Sequence, residues 1–555
     1  MDHVNDPHTA ALPAPSLVFR PEERPTVPGA PYAPPQAPAR RAFYAIVAVV
    51  LGALVNLGNA LVLANEPVLA GARGDDLIST AMLPGIYIAF DAAANLILVK
   101  ARAQFGVPAF IRMLLFSYAA AATLMLLAPA QPTAILLSAV SGTCAAGMTT
   151  LTVYYAMQSL PASTKPLGPV AALGVVQLSS PLARLFPVDL FSLGGWRTLA
   201  LLQIAIPLTA LVAIIACPLP PTDRSKAFDR LDGLTYPLVL SANLLLCIVL
   251  AEGRLLWWGD TPWLGRALAG CIPLYVIAII LECRRRNPLL HFEWYGTSTI
   301  LCFAATAVVV RLALSEQSYG AVGLLNSAGL DNDQYHTLFA SIILAQLLGT
   351  AVAVLTTNIE RPPYQVMAAA LFIALGAWLD TGSDNLTRPG NLLLSQSLIA
   401  FGTTLFIGPV FLYGSVQMRL RGPDHLVSLV VLFSMTQNIG GLAGSALLGS
   451  YQTVRAKVHA AALADAMAVG DPMVANRIHQ NASALSGVIG DPGQLATQGS
   501  GLLGQSLSRE AAILGFNDAF ALITFVALGA ALFLAGTIIR HHWLERLRAR
   551  KGVLS

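Results

Sequence analysis

Long apolar stretches alternate with short polar ones along most of the chain. Each apolar stretch has about the 20 residues that a helix needs to cross roughly 30 Å of hydrocarbon. Segments of this kind fold as α-helices, because the bilayer core offers the backbone no hydrogen-bond partner. The pattern predicts an all-α membrane protein with fourteen spans, numbered in chain order: Ala42–Ala64, Ile78–Val99, Phe110–Leu127, Thr133–Tyr155, Val170–Phe186, Thr198–Cys217, Leu234–Ala251, Leu264–Leu281, Ser298–Gly320, Thr337–Leu355, Val366–Leu379, Leu392–Leu412, Leu426–Leu448 and Ala519–Ile539.

Six of these spans precede a central pair, spans 7 and 8, and six follow it. Trp257 and Trp258 lie at the turn between spans 7 and 8, which suits amphipathic rings at a membrane–water interface. The predicted regions are a disordered cytoplasmic tail (1–39), a first six-helix bundle (40–220), the central pair with its flanking segments (221–296), a second six-helix bundle (297–540) and a cytoplasmic C-terminal tail (541–555). A long extracytoplasmic loop, residues 451–516, interrupts the second bundle.

The positive charges of the short loops give an independent test of this count. With both termini inside, the cytoplasmic loops carry thirteen basic residues: Lys100, Arg102, Arg112, Lys165, Arg224, Lys226, Arg230, Arg284, Arg285, Arg286, Arg361, Arg419 and Arg421. The outer loops carry five: Arg73, Arg184, Arg197, Arg254 and Arg388. This bias satisfies the positive-inside rule and predicts a multi-pass protein of the inner membrane with both termini in the cytoplasm.

Composition supports the same class and argues against several others. The 555 residues are 55% hydrophobic and 11% charged, whereas a soluble domain has about a quarter charged residues. The net charge of +4 is too small to indicate nucleic-acid binding. The six cysteines form no Cys-x-x-Cys pair, and no hydrolase, metalloprotease or phosphate-loop motif is present. We therefore expect no catalytic residue, no bound metal and no cofactor.

Charged side chains at membrane depth are the strongest candidates for function, because burying them costs free energy. Asp91 in span 2 is the first of them, with Asn95 one turn along the same helix face. Desolvation favours the neutral form of such a carboxyl, so Asp91 is a candidate for proton coupling; the alternative is a hydrogen bond to Asn95 or to a neighbouring helix. Arg311 and Glu316 in span 9 are the other candidates. They lie about 140° apart around a helix, so they do not pair with each other.

Neutral polar residues and glycines complete the candidate set. The substrate-cavity candidates are Asn56, Asn59, Asn95, Gln177, Gln346, Gln437 and Asn438. Hydrogen bonding between helices is the alternative role for these side chains. The candidates for gating or close helix packing are Pro181, Gly402, Gly408, Pro409, Gly440, Gly441 and Gly444.

Several short motifs resemble one family. They are Asn287-Pro288-Leu289-Leu290 after the arginine cluster, Gly195-Trp196-Arg197 before span 6, Glu252-Gly253 with Trp258 after span 7, Thr436 to Gly444 in span 13, and Asn517 to Phe520 before span 14. With the six–two–six arrangement, they make the chain similar to the fourteen-helix drug:proton antiporters of the major facilitator superfamily, from about Arg40 to Arg550.

Other positions depart from that family's pattern. Ala103 stands where the loop between spans 2 and 3 normally carries aspartate, and Ser138 replaces an arginine of span 4. The antiporter motif of span 5 is reduced to Ser179-Ser180-Pro181, and Gly58 stands where span 1 often has aspartate. We expect Asp91, Arg311 and Glu316 to have taken over the proton-transfer work of the missing residues.

The resemblance implies alternating access between two bundles and proton-coupled export of a hydrophobic or amphipathic small molecule. The implied partners are the lipid bilayer, the small-molecule substrate and protons, with a periplasmic adaptor and an outer-membrane channel as a further option. Two alternatives stay open. One is an uncoupled or importing facilitator of a small organic solute, and the other is a non-transporting sensor or scaffold of the same fold.

Overall fold

The computed structural model describes residues 30–74, 76–224, 226–358, 362–467 and 470–552, and almost all of them are helical. Within these residues, fourteen helical segments are long and apolar enough to cross a membrane, which confirms the predicted fold. Their bounds are Pro38–Ala64, Leu77–Phe105, Val107–Leu127, Gln131–Ser159, Ala162–Ala183, Val188–Ala216, Asp232–Glu252, Pro262–Cys283, Ser298–Ser327, Asn332–Thr356, Pro363–Asp380, Pro389–Arg421, Leu426–Ala466 and Pro492–Arg540.

Spans 1–6 and spans 9–14 form two bundles, each with its own apolar core. The bundles meet where span 2 packs against span 13 and where span 5 packs against spans 10 and 12. Small residues permit the second contact. A Cβ at Gly174 would lie 2.4 Å from the Thr350 hydroxyl, and a Cβ at Gly408 would lie 2.6 Å from Val170. Gly408, a predicted packing residue, thus lies at the interface between the bundles.

The ends of the spans form two faces, which we name by their residues. The basic face holds Lys100, Arg285 and the start of span 1 at Pro38, and the far face holds Arg184 and Asn332. Span 7 packs against span 2, while span 8 contacts mainly span 7 and is the least buried of the fourteen. The central pair therefore flanks the bundles and does not form part of either core.

A buried charge cluster ties the central pair to span 2 at the basic face. Asp232, at the start of span 7, accepts from Lys100 Nζ at 2.8 Å and from Arg285 Nη2 at 2.6 Å. Arg285 also contacts Glu282 at 2.7 Å, and the more exposed Asp229 at 3.3 Å. Asp232 thus joins span 7 both to the end of span 2 and to the end of span 8.

The tail predicted as disordered (1–39) differs from the structure over its last residues; residues 1–29 lie outside the described part. Residues from Ala30 onward lie against the basic face, and helix begins at Pro38. Pro31 forms an isolated β-bridge with Thr222, and the Tyr32 hydroxyl donates to Asp223 at 2.8 Å. Backbone pairing, which composition alone does not indicate, holds this segment in place.

The long segment predicted to link spans 13 and 14, residues 451–516, is mostly helical in its described part, including its Gly- and Ser-rich portion. Span 13 continues without a break to Ala466, a separate helix covers Pro472–Ser483, and a single helix runs from Pro492 through span 14 to Gly552. Asp518 joins the two long helices, because its Oδ2 contacts Arg455 Nε at 2.5 Å and His459 Nε2 at 2.7 Å. We call the described residues 454–467 and 470–509, which link the two long spans at this end, the far-face hairpin.

A candidate binding cavity between the two bundles

A cavity of about 390 Å³ lies between the two bundles, a volume typical of small-molecule sites. Spans 1, 2, 4 and 5 line one side, and spans 9, 12 and 13 line the other. Of the residues proposed from sequence, the cavity brings together Asn56, Asp91, Asn95, Gln177, Arg311, Gln437 and Asn438. Asn59 and Gln346 are not among its lining residues.

The cavity is closed toward the far face by hydrogen bonds between the bundles. Arg184 Nη1 donates to Asn332 Oδ1 at 2.8 Å, and Asn332 Nδ2 donates to the Ala64 carbonyl at 2.8 Å. The backbone N–H of Val188 donates to Asp333 Oδ1 at 2.9 Å. These contacts join the ends of spans 1 and 5 and the start of span 6 to the start of span 10 at the far face, whereas the lining extends to the basic face at Arg102 and Arg419.

Glu66 lies two residues beyond Ala64, next to this closure and outside the spans. Burial raises the pKa of the Glu66 carboxyl to about 7, and the nearby Arg254 guanidinium opposes that rise. Glu66 is therefore an acidic group near the closure whose charge changes close to neutral pH.

The ordered tail lines the cavity mouth at the basic face. Ala30, Pro31 and Ala33 are lining residues. Two donors of the first bundle hold this segment: Gln158 Nε2 donates to the Tyr32 carbonyl at 2.8 Å, and Lys165 Nζ donates to the Ala33 carbonyl at 2.5 Å. Composition gave no signal for this contact, because the tail has no apolar run.

Asp91 contributes the carboxyl group of the cavity lining and bridges the bundles. It is 8% exposed, and its Oδ2 accepts from Asn438 Nδ2 of span 13 at 2.6 Å. Asn95 donates both to the Asp91 carbonyl at 2.8 Å and to Ser434 Oγ at 3.0 Å. The predicted neighbourhood of Asp91 and Asn95 is present, and Ser434, which the sequence did not single out, joins it to span 13.

Arg311 enters the cavity from span 9 and lies against the glycines of span 13. Its Nε donates to the Gln437 carbonyl at 2.9 Å. A Cβ at Gly441 would lie 2.7 Å from Arg311 Nη2, and a Cβ at Gly440 would lie 3.6 Å from Arg311 Cγ. Gly441 therefore makes room for the guanidinium group, whereas a Cβ at Gly440 would make only ordinary contact, and Gly444 packs against span 9 at Leu312.

Glu316 lies outside the cavity lining, buried within the second bundle. Gln396 Nε2 donates to Glu316 Oε1 at 2.9 Å and to Asp380 Oδ2 at 2.7 Å. Glu316 Oε2 and Gln396 Oε1 have no hydrogen-bond partner among the described residues. Sequence reasoning missed Asp380, whose signal was its position directly after the predicted end of span 11.

The remaining candidates have packing contacts. Pro181 is buried in span 5, and Pro409 lies inside the helix of span 12. Gly402 lets span 12 approach span 11, since a Cβ there would lie 3.0 Å from the Ala369 carbonyl. Ser179 of the reduced antiporter motif donates to the Ala53 carbonyl at 3.0 Å, at the break in span 1.

No metal site emerges in the part of the chain that the structure describes, where no three His, Cys, Asp or Glu residues are grouped to hold an ion. The chemistry that the lining offers is therefore that of one carboxyl group, guanidinium groups, amides and hydroxyls.

Comparison with known proteins gives likenesses of fold and a distant sequence relative. No protein-family model matches the chain. It is 21% identical over 351 residues to the uncharacterized MFS-type transporter YhcA of Bacillus subtilis (strain 168). The aligned residues make up 62% of this chain and only 63% of that relative.

Solved structures superpose over most of the length. A peptide transporter POT in complex with sulfate has a TM-score of 0.54 at 14% identity, covering 93% of this chain and 97% of that one. A bacterial homologue of the human drug peptide transporters PepT1 and PepT2 has a TM-score of 0.54 at 10% identity, covering 91% and 99%. The human organic anion transporter MFSD10 (TETRAN) has a TM-score of 0.50 at 12% identity, covering 89% and 100%. With its two six-helix bundles around a cavity and a flanking central pair, the chain has the fold of the major facilitator superfamily.

Proposed function

We propose that the chain is a secondary active transporter that exports a hydrophobic or amphipathic small molecule by alternating access, with protons as the coupling ion. The observation that carries this proposal is the cavity: it lies between two separate bundles, is closed at the far face and has its mouth at the basic face. A rocking motion that opens the far face and closes the basic face would move a bound solute across the membrane. The drug:proton antiporter group remains the subgroup that we infer.

We assign proton coupling first to Asp91. Its carboxyl group lies between the bundles and has an amide donor, Asn438, but no cation within ion-pair distance among the described residues. An unpaired carboxylate in a region of low dielectric costs several kcal/mol, and protonation removes that cost. Because Asp91 and Asn438 belong to different bundles, proton binding there is coupled to how the bundles approach each other.

Glu316 and Asp380 form the second proposed proton site. Ionising both of two buried carboxyl groups that share a single amide donor has a high free-energy cost, because like charges repel. One proton shared between them is therefore the stable arrangement. This site lies within one bundle, away from the cavity. We infer that its proton affects the shape of span 9, which is a π-helix from Glu316 to Gly320.

The proposed orientation places the basic face in the cytoplasm of an inner membrane, with both termini on that side. The far-face hairpin would then lie outside the cytoplasm. There it offers a docking position for the periplasmic adaptor and outer-membrane channel that the resemblance raised as an option. Compartment reporters on both termini and within the hairpin test this orientation, and a terminus that reports from outside the cytoplasm contradicts it.

Transport into inverted membrane vesicles tests the coupling. We expect cargo accumulation driven by an imposed pH gradient in the wild type, a loss of that drive in Asp91→Asn, and a weaker loss in Glu316→Gln. The matched control is Asp260→Asn, which removes an exposed carboxyl between spans 7 and 8. Accumulation that stays equally pH-driven in Asp91→Asn and Glu316→Gln contradicts the coupling. Flux that ignores the gradient in the wild type favours an uncoupled facilitator, and no flux of any cargo favours a non-transporting protein.

A further inference from the structure

The charged groups lining the cavity are mostly positive. Three of them are guanidinium groups, from Arg102, Arg311 and Arg419, and one is the carboxyl group of Asp91. The remaining lining is apolar or carries neutral amides and hydroxyls. Such a cavity attracts an anion more strongly than a cation, because field lines concentrate in a cleft with walls of low dielectric.

Arg311 is the deepest of the three, because it lies within span 9 rather than at the mouth. Only its Nε has a hydrogen-bond partner among the described residues, namely the Gln437 carbonyl at 2.9 Å. The two terminal atoms, Nη1 and Nη2, have no protein acceptor within the described ranges, and Asp91 is not within ion-pair distance. The fork of the guanidinium group is thus free to accept a ligand.

The surroundings of Arg311 hold that fork in position. The Nε hydrogen bond fixes one edge of the group, and the bare backbone at Gly441 supports its plane. Both amide atoms of the Gln437 side chain are buried without a partner in the described part of the chain. An oxygen-rich ligand group at this point would meet the two Nη donors of Arg311.

The other two arginines lie toward the basic face. Arg102 is at the end of span 2, where its guanidinium group lies 5.6 Å from the ring centre of Tyr154. Arg419 is near the end of span 12, beside Met418 in the lining. An anion approaching from the basic face passes these two charges before it reaches Arg311.

We propose that the cargo is an organic anion, with an apolar body and one carboxylate or sulfonate group that binds end-on to the Nη atoms of Arg311. An anion there compensates a buried positive charge, and two parallel charge-assisted hydrogen bonds fix its orientation. The apolar body contacts Leu173, Phe411 and Phe433 across the cavity. This inference rests on the proposed transport function and narrows its substrate class.

Equilibrium binding to the full-length protein in nanodiscs tests the substrate class. The probes share one ring system and differ in charge: radiolabelled naphthalenesulfonate (anion), naphthalenesulfonamide (neutral) and naphthyltrimethylammonium (cation). We expect the sulfonate to bind the wild type at least about tenfold more tightly than either other probe, because a hydrogen bond to a charged group outweighs a neutral one. Failure of the sulfonate to bind the wild type at millimolar concentration overturns the proposal, as does a preference for the cation.

Variants identify Arg311 as the anion site. Arg311→Gln should weaken sulfonate binding at least about tenfold and leave sulfonamide binding unchanged. The sulfonate affinity of Arg311→Lys should lie between those of the wild type and Arg311→Gln. Gly441→Ala keeps the charge but displaces Nη2, so it should also weaken sulfonate binding even if Arg311→Gln does not fold. The control Arg112→Gln alters an exposed arginine of span 3 and should bind as the wild type does. Sulfonate affinity that is unchanged in both Arg311→Lys and Gly441→Ala overturns the assignment.

Flux in proteoliposomes separates this inference from the function on which it rests. If sulfonate binding depends on Arg311 but no flux occurs under a pH gradient, the anion site is supported and the transport function is contradicted. If the pH gradient drives flux of the ammonium probe, and this flux is unchanged in Arg311→Gln, the transport function is supported and the anion site is overturned.

Discussion

The replacement Asp232→Asn tests the buried charge cluster that fastens span 7 to span 2 at the basic face. The side chains of Asp232 and Arg285 are only 2% and 3% exposed, and that of Lys100 is 17% exposed. With Glu282, which is 1% exposed, the cluster has two positive and two negative groups when the largely exposed Asp229 is left out, so the charges of these four groups balance. The asparagine would leave two cations facing one buried carboxylate.

Breaking a buried ion pair from one side costs about 3–5 kcal/mol, because the partner charge stays desolvated. We expect the lower end, about 3 kcal/mol, since Glu282 still contacts Arg285 at 2.7 Å and Lys100 can move toward water. Asp229→Asn is the matched control. It removes a carboxylate from the same Arg285 Nη2, but the Asp229 side chain is 54% exposed, so we expect a loss below about 1 kcal/mol.

Thermal unfolding of the purified protein in detergent measures this difference as a fall in Tm for Asp232→Asn and a much smaller one for Asp229→Asn. Adding Lys100→Met to Asp232→Asn restores the charge balance, so the double variant should be more stable than the sum of the two single losses indicates. Equal falls in Tm for Asp232→Asn and Asp229→Asn would refute the reasoning, and so would strict additivity in the double variant.

Two further predictions concern helix packing and pH. Gly142→Ala would place a Cβ 2.3 Å from the Tyr87 carbonyl where spans 4 and 2 meet, so we expect a loss of about 1–3 kcal/mol in a denaturant titration. Gly529→Ala, with nothing within 4 Å, should be neutral or slightly stabilising, and an equal loss there would contradict the packing argument. The pKa of Glu66 is raised to about 7, so the folded state binds the extra proton and loses stability as pH rises from about 4.5 to 7. Glu66→Gln should remove that dependence. Above pH 7 it should exceed the wild type in free energy of unfolding by up to about 3 kcal/mol and should have the higher Tm; parallel Tm profiles against pH for the two proteins would contradict this.

The span count and the charge bias were readable from sequence, because hydrocarbon thickness and backbone hydrogen bonding act on each segment separately. The closeness of Asp91 to Asn95 was readable for the same reason, since both lie on one helix. The partners that complete each group come from distant spans. Asn438 reaches Asp91 across the bundle interface, and Asp380 meets Glu316 through Gln396 within the second bundle. Periodicity along one helix carries no information on which helix lies opposite.

The glycines of span 13 illustrate the same limit. Their spacing indicates a smooth helix surface, and Gly444 does pack against span 9. Gly441 instead leaves space for the Arg311 guanidinium group, which a sequence pattern does not distinguish from helix–helix contact. Asn59 and Gln346 were proposed for the cavity because they are polar at membrane depth, but depth alone does not determine the direction in which a side chain points.

Span 13 is one unbroken helix of 41 residues, Leu426–Ala466, and is therefore about 60 Å long. It carries Gln437 and Asn438 at the cavity and His459 near its opposite end. A straight rod of that length amplifies rotation, so a tilt of about 10° displaces one end by about 10 Å relative to the other. A spectroscopic label on the far-face hairpin would thus report small rotations that take place around the cavity.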